Sequence, residues 1–180
     1  MNDARFEDGK ERPLRLIARD AADLRVLSAL VQDAVLTGAD LAFNRRARRF
    51  SLLLNRFRWE DRARAGGEGG PVERVRSVLD FGDVLRVTQQ GMEPRSGDTV
   101  LSLLSIGYTA ADADPNPDAN PDPNPDPGPD QPAGPGRVML VFSGDGAIAL
   151  DVECLEVHLA DVTRPYAAPS RRVPAHRLIE

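Results

Sequence analysis

Cys154 and His158 stand four residues apart in one stretch of alternating polarity, and a thiol beside an imidazole is the pairing that makes a nucleophile. Such a pair needs hydrogen-bond reach. The alternation changes phase here, from Ile148, Leu150, Val152 and Cys154 to Leu155, Val157 and Leu159, so the two side chains have no fixed common direction. A cysteine within an apolar alternation is usually an inert core residue. Asp151, Glu153, Glu156 and His158 offer carboxylates and one imidazole, but no second His or Cys lies at metal-ligand spacing, His176 being near the end of the chain. The solvated face of a sheet accounts for the same residues. The sequence therefore assigns no catalytic residue, no cofactor-binding residue and no metal ligand.

Gly144-x-Gly146-x-x-Ala149 has the letters of a dinucleotide-binding fingerprint, and a strand-like run precedes it. That fingerprint works by opening a helix whose amides face a pyrophosphate, whereas the residues that follow here alternate with period two. A hairpin turn is the better reading. The richer signal is residues 44–64, with eight Arg against two acids, interleaved with Phe50, Phe57 and Trp59. Arginines for phosphates and aromatics for base stacking are what single-strand binders use, and Arg with Trp is also what protein-interface anchors favour. Arg45, Arg46, Arg48, Arg49, Arg56, Arg58 and Trp59 form the candidate interaction surface. A plain hairpin, aromatics inward and arginines in water, is the alternative.

Charge separates these readings. The chain carries −5, but residues 110–136 hold six Asp and no Arg or Lys, which leaves the remainder at +1. A near-neutral body exerts no long-range pull on nucleic acid or an anionic membrane. No apolar run approaches the roughly 20 residues of a membrane span, and residues 1–13 do not read as a secretory signal. A single Cys excludes an intramolecular disulfide and points to a reducing, cytoplasmic setting.

The elements that must position these residues are mostly strands. Residues 1–12 read as a flexible arm, followed by a short alternation at Leu14, Leu16 and Ala18. Asp20 can cap a helix over residues 21–36, with Leu24, Leu27, Leu30, Val31, Ala34 and Val35 on one face and Gly38 to end it. Residues 41–43 and 49–59 predict a hairpin, and 66–71 a glycine loop. Val75, Ser77, Leu79 and Phe81 predict one strand face, and Gly82-Asp83 a turn into 84–87. Residues 100–108 and 137–142 are two more strands, the second leading through Ser143-Gly144-Asp145-Gly146 into a return strand that bends near Cys154 and Leu155.

Between the last two runs, nine Pro and six Asp in 110–136, with Asn-Pro-Asp recurring at Asn116, Asn120 and Asn124, predict a disordered loop insertion. Extending a hairpin loop from 4 to 27 residues costs only about 1.7 kcal/mol of closure entropy, so one domain can carry it. A neutral expansion and a tethered polyanion that shields the arginines are the two readings of its role. The domain then runs over 13–164, with a flexible tail at 165–180.

LLNRFRWED at 53–61, FGDVLRV at 81–87, VLSLL at 100–104 and GDGAIALDVECLEVHLADVTRPY at 144–166 resemble an uncharacterised bacterial family, typical of alphaproteobacteria. The resemblance implies no activity, cofactor or catalytic residue. The fold expected is α+β: a mainly antiparallel curved sheet or partly open barrel of seven or eight strands, with one amphipathic helix packed on it. The function expected is a small cytoplasmic, non-enzymatic module that binds a protein, either a partner or its own copy, through the Arg-aromatic hairpin. Nucleic-acid binding through the same hairpin, and an enzyme or small-ligand protein with a site assembled from distant residues, are the alternatives.

Overall fold

Asp20 caps α1 (Ala21–Val31), its side chain accepting from the Asp23 amide at 2.7 Å, and Leu24, Leu27 and Val31 form the buried stripe. The computed structural model describes residues 13–60, 73–91, 98–111 and 133–167. The arm, the glycine loop, residues 112–132 of the insertion and the tail beyond 167 lie outside the described residues.

The helix is one turn shorter than the spacing predicts. Asp33 adopts a positive φ of 60°, and Ala34–Thr37 form a strand with Ala34 and Leu36 buried. The apolar residues at 31, 34 and 35 fit a helical period, but Ala34 and Leu36 fit a period of two equally well, and sheet pairing decides between them.

The strands are β1 (Arg15–Ala18), β2 (Ala34–Thr37), β3 (Leu41–Asn44), β4 (Arg49–Phe57), β5 (Glu73–Phe81), β6 (Val84–Gln90), β7 (Val100–Ala110), β8 (Gly136–Phe142), β9 (Ala147–Val152), β10 (Val157–Asp161) and β11 (Tyr166–Ala167). They form one antiparallel sheet in the order β1-β10-β5-β4-β2-β7-β8-β9-β6, with β3 on β4 and β11 on β5. Eleven strands among the described residues exceed the expected seven or eight because β2 lies in the span expected to be helix, β11 lies in the expected tail, and the return strand that bends near Cys154 is divided into β9 and β10. The sheet is not closed into a barrel.

The expected turn at Gly82-Asp83 is a corner crossing instead of a hairpin. Gly82-Asp83 does not fold β5 back on β6: β5 pairs with β4 and β10, and β6 with β9. Phe81 pairs with Val157 on one side of the break and Val84 with Val152 on the other. One long ribbon, β5–β6 against β9–β10, thus bends at residues 82–83 and 153–156 and passes between the two halves of the sheet. The phase change at Cys154 and Leu155 is this bend.

The inward faces of both halves meet in one core with α1, including Leu52, Leu54, Leu79 and Phe81 from one half and Leu103, Leu140, Phe142 and Leu150 from the other. The hairpin of β8 and β9 turns through Gly144 and Asp145, both at positive φ, as the Ser-Gly-Asp-Gly sequence predicts.

Candidate functional site

The arginines of residues 45–58 divide by strand phase. Along β4, Phe50, Leu52 and Leu54 point into the core, and the next inward position is Arg56, which is 0% exposed. Its Nε donates to Ser77 Oγ at 3.2 Å and Asp161 Oδ1 at 3.1 Å, and its Nη2 to Asp161 Oδ2 at 2.9 Å. Glu60 takes two further bonds at 2.9 and 2.7 Å, and the Phe57 carbonyl accepts from Nη1. Ser77 also donates to Asp161 at 2.6 Å, and the Leu14 amide to the same carboxylate at 3.1 Å.

Burial works against a charged guanidinium in this site, but the bonds to Glu60 and Asp161 outweigh it and hold the Arg56 pKa above its ordinary value. Burial likewise opposes the Glu60 carboxylate, and Arg56 more than offsets that, keeping its pKa below the ordinary value. Arg56 is therefore a bolt joining β4, β5, β10 and the lead into β1, not part of a surface.

Of the other arginines of the candidate surface, Arg45, Arg46, Arg48 and Arg49 are exposed, whereas the Arg58 side chain is only 8% exposed. Arg48, at φ 54° in the β3–β4 turn, bridges Asp83 at 3.2 Å and Glu153 at 2.7 Å. Arg49 pairs with Asp80, whose hydrogen bond raises its pKa, and Arg58 with Glu73 at 2.9 Å. Arg45 and Arg46 are exposed at the hairpin tip, where Asn44 accepts from the Ala47 amide. Trp59 is half-buried, its ring 5.3 Å from Phe57 and its Nε1 donating to the Gln32 carbonyl at 3.3 Å. Arg74 lies 4.0 Å over the opposite partner, Phe57. The structure thus brings Arg58 and Trp59 to one end of β4, leaves Arg45 and Arg46 at the other, and removes Arg56 to the interior.

The corner holds Cys154. Its Sγ donates to Asp83 Oδ2 at 3.3 Å, whereas His158 Nε2 contacts Glu156 Oε1 at 3.0 Å. Burial, with the Asp83 carboxylate adding to it, pushes the thiol up to about 11, the opposite of what a nucleophilic cysteine needs. Among the described residues, no cluster of three His, Cys, Asp or Glu has metal-binding geometry.

The sequence reading missed the outer face of the sheet. On the β4–β5–β10 half that face is mostly charged and polar: Asp80 accepts from Arg49 and Ser51, with His158 beside it in register, and Asn55 pairs with Arg76, the apolar row Leu53, Val78 and Ala160 lying between them. On the β7–β8–β9 half it is not. Across the strands, Ser105 pairs with Val141 and Val141 with Ala147; Gly107 pairs with Met139 and Met139 with Ala149. Leu104, Met139 and Val141 are each 37% exposed and Val100 is 66% exposed. A Cβ added at Gly107 would meet no atom of the described residues within 4 Å.

One end of this face carries Asp151, which accepts from Arg137 at 2.7 Å and Arg86 at 2.9 Å, Arg137 first among the causes that hold its pKa down. The other end carries Asp98 and Asp145, both exposed. The available signal was β8 itself: Val138, Met139, Leu140, Val141 and Phe142 are apolar without alternation, so both faces of that strand avoid charge.

Fold and surfaces define an open antiparallel-sheet protein with a one-helix cover and a half-apolar outer face. The chain belongs to the family described as Protein of unknown function (DUF2948), whose model matches residues 14–120 and 126–176. No curated protein and no solved structure matches it. No helix among the described residues is long and apolar enough to cross a membrane.

Proposed function

We propose that this protein is a non-enzymatic protein-interaction module, and that its contact surface is the outer face of β7, β8 and β9 rather than the Arg-aromatic hairpin. The observation that carries this reading is the width of the apolar surface: two successive cross-strand rows, Ser105–Val141–Ala147 and Gly107–Met139–Ala149, with Leu104 beside them, are apolar or small, whereas over β4–β5–β10 the apolar row Leu53–Val78–Ala160 is flanked by Asp80 with His158 on one side and Arg76 on the other. Contiguous exposed apolar surface with a polar rim marks association sites in folded proteins. The hairpin supports nucleic-acid binding less well, since Arg56 is buried and Arg48, Arg49 and Arg58 each have a carboxylate partner. The elevated thiol pKa of Cys154 speaks against thiol catalysis, and the single cysteine fits a reducing, cytoplasmic setting.

The test is site-specific photo-crosslinking in the native cell extract. A photoreactive side chain at Met139 should give discrete protein adducts, and the same group at the exposed Arg76 on the charged half should give few. Equal yields from both positions refute the assignment of the surface.

A further inference from the structure

We infer that the outer face of β4 and β5, at the end away from the corner, binds a small phosphate monoester, at a site apart from the face of β7, β8 and β9. Asn55 pairs with Arg76, and two residues further along Phe57 pairs with Arg74, so these four side chains share the outer side of the two strands. Tyr166 pairs with Arg74 from the other edge of β5, and its hydroxyl reaches across to donate to Asn55 Oδ1 at 2.7 Å. That bond fixes the amide with its oxygen toward Tyr166, which leaves Asn55 Nδ2 as a donor on the strip that carries the two arginines. The Arg74 guanidinium lies 4.0 Å over the Phe57 ring. Arg76 has Asp40 Oδ1 at 4.0 Å, beyond hydrogen-bond length, while Asp40 Oδ2 accepts from the Thr37 amide and hydroxyl at 2.8 Å. Glu73, the acid next to Arg74, is taken by Arg58 at 2.9 Å. Arg48, Arg49, Arg86 and Arg137 each hydrogen-bond a carboxylate, whereas among the described residues Arg74 and Arg76 bond none.

The surroundings keep the strip positive. Thr163, after β10, accepts from the Arg76 amide through its hydroxyl, and the exposed Arg164 follows it. In the adjoining sequence, residues 61–72 hold two Arg and two acids, and residues 168–180 three Arg and one Glu. The six-aspartate stretch leaves the sheet at the corner, where the Leu155 amide donates to the Ala133 carbonyl; Arg74 stands seven residues along β5 from Phe81, roughly 24 Å at 3.4 Å per residue. Two guanidinium forks and an amide nitrogen are donors without an acceptor among them, which suits an oxyanion. A phosphate monoester brings a charge of about −1.5 to −2 and three terminal oxygens, enough for all three groups, whereas a carboxylate brings one charge and two oxygens. The strip is two strands wide, about 4.8 Å between them, too narrow for a macromolecular interface, so the ligand is small. Exposure to water keeps the binding modest, with a dissociation constant on the order of 1 mM.

Titration of the full chain with phenyl phosphate at constant ionic strength, followed by proton–nitrogen correlation NMR, tests this. The side-chain amide of Asn55 and the backbone amides of Arg74 and Arg76 should shift together and saturate, with a midpoint on the order of 1 mM. Asn55→Asp keeps an acceptor for Tyr166 but replaces the donor with a negative charge, so it should weaken binding at least roughly tenfold. Arg76→Gln should weaken binding several-fold, and it keeps the test open if Asn55→Asp disturbs the contact with Tyr166. Replacing Arg45 and Arg46, exposed at the hairpin tip, by Gln should leave the midpoint unchanged; a midpoint that moves as much as with Arg76→Gln means diffuse attraction and overturns the site. Acetate at the same ionic strength should not saturate the shifts. Shifts that fail to saturate below about 10 mM, acetate binding as well as the monoester, or a midpoint indifferent to both Asn55→Asp and Arg76→Gln each overturn the proposal.

Discussion

Truncating Asp161 to Ala should be among the most destabilising single changes in this chain, and its size can be worked from the geometry. Asp161 gives Arg56 two bonds, at 3.1 and 2.9 Å, and also accepts from Ser77 Oγ and the Leu14 amide. Arg56 is 0% exposed, so water cannot replace the lost oxygens without opening the core. Removing one partner of a buried pair costs about 3–5 kcal/mol. Glu60 still neutralises the guanidinium through two bonds of its own, which places the expected loss near the lower end, at about 3 kcal/mol. With a urea slope of about 2 kcal/mol/M, the unfolding midpoint falls by about 1.5 M. Arg49→Ala, which breaks a half-exposed pair with Asp80, should cost at most about 1 kcal/mol in the same assay. Adding Arg56→Met to Asp161→Ala should cost less than the two changes summed, because the second truncation no longer strands a cation. A midpoint drop for Asp161→Ala no larger than that of Arg49→Ala would refute the picture of a sealed ionic bolt.

Other outcomes follow from the same groups. Glu60 has its folded-state pKa below its unfolded value, so it stabilises the fold fully above the unfolded value, and this contribution is lost as pH falls through the folded one; Glu60→Gln should flatten the acid limb of a stability–pH curve, and an unchanged limb contradicts the ion pair. Cys154, raised from 9.0 to about 11, should react with iodoacetamide at pH 8 about 100-fold more slowly than an ordinary thiol, by thiolate fraction alone. Asp83→Asn tolerates the positive φ at that position and removes the carboxylate that disfavours the thiolate, so labelling should speed up; no change would remove Asp83 as a cause. On heparin the chain should elute at low salt, and Arg45→Glu with Arg46→Glu should shift elution little; firm, salt-sensitive retention lost in that variant would revive the nucleic-acid reading.

Much of the fold was legible because alternation and turn chemistry act locally. Asp20 and Asp23 announce the start of α1, Ser143–Gly146 the β8–β9 turn, and Val75, Ser77, Leu79 and Phe81 the inward face of β5, all as the structure has them. The end of α1 was less legible, because Ala34, Val35 and Leu36 satisfy two periods and only pairing with Leu103, Ser102 and Leu101 chooses the strand. The crossing at Gly82-Asp83 was hidden because a corner and a hairpin use the same residues. Arg56 was readable in principle: it keeps the phase of Leu52 and Leu54, and an arginine in a core phase requires acids that the sequence places far away, at Asp161, or four residues on, at Glu60. Counting arginines instead of phasing them put it on the surface.

The sheet's edges bear on what its open face can do. An exposed edge strand invites open-ended pairing, and proteins blunt such edges by shortness, charge or a bulge. Here β1 is four residues long, and β6 carries Arg86 together with a register shift between Val84 and Arg86. Both ends of the strand order are therefore poor templates for a further strand, whereas the face of β7, β8 and β9 is apolar at Met139 and Val141. On the proposed reading, a partner held on that face adds no strand to the sheet and so leaves no new edge behind. Pairing through edges would instead leave a new edge after every addition. The distinction is measurable: with blunted edges the mass of the full chain should not grow without limit as its concentration rises, and open-ended growth would mean that an edge strand, not the face, is the contact.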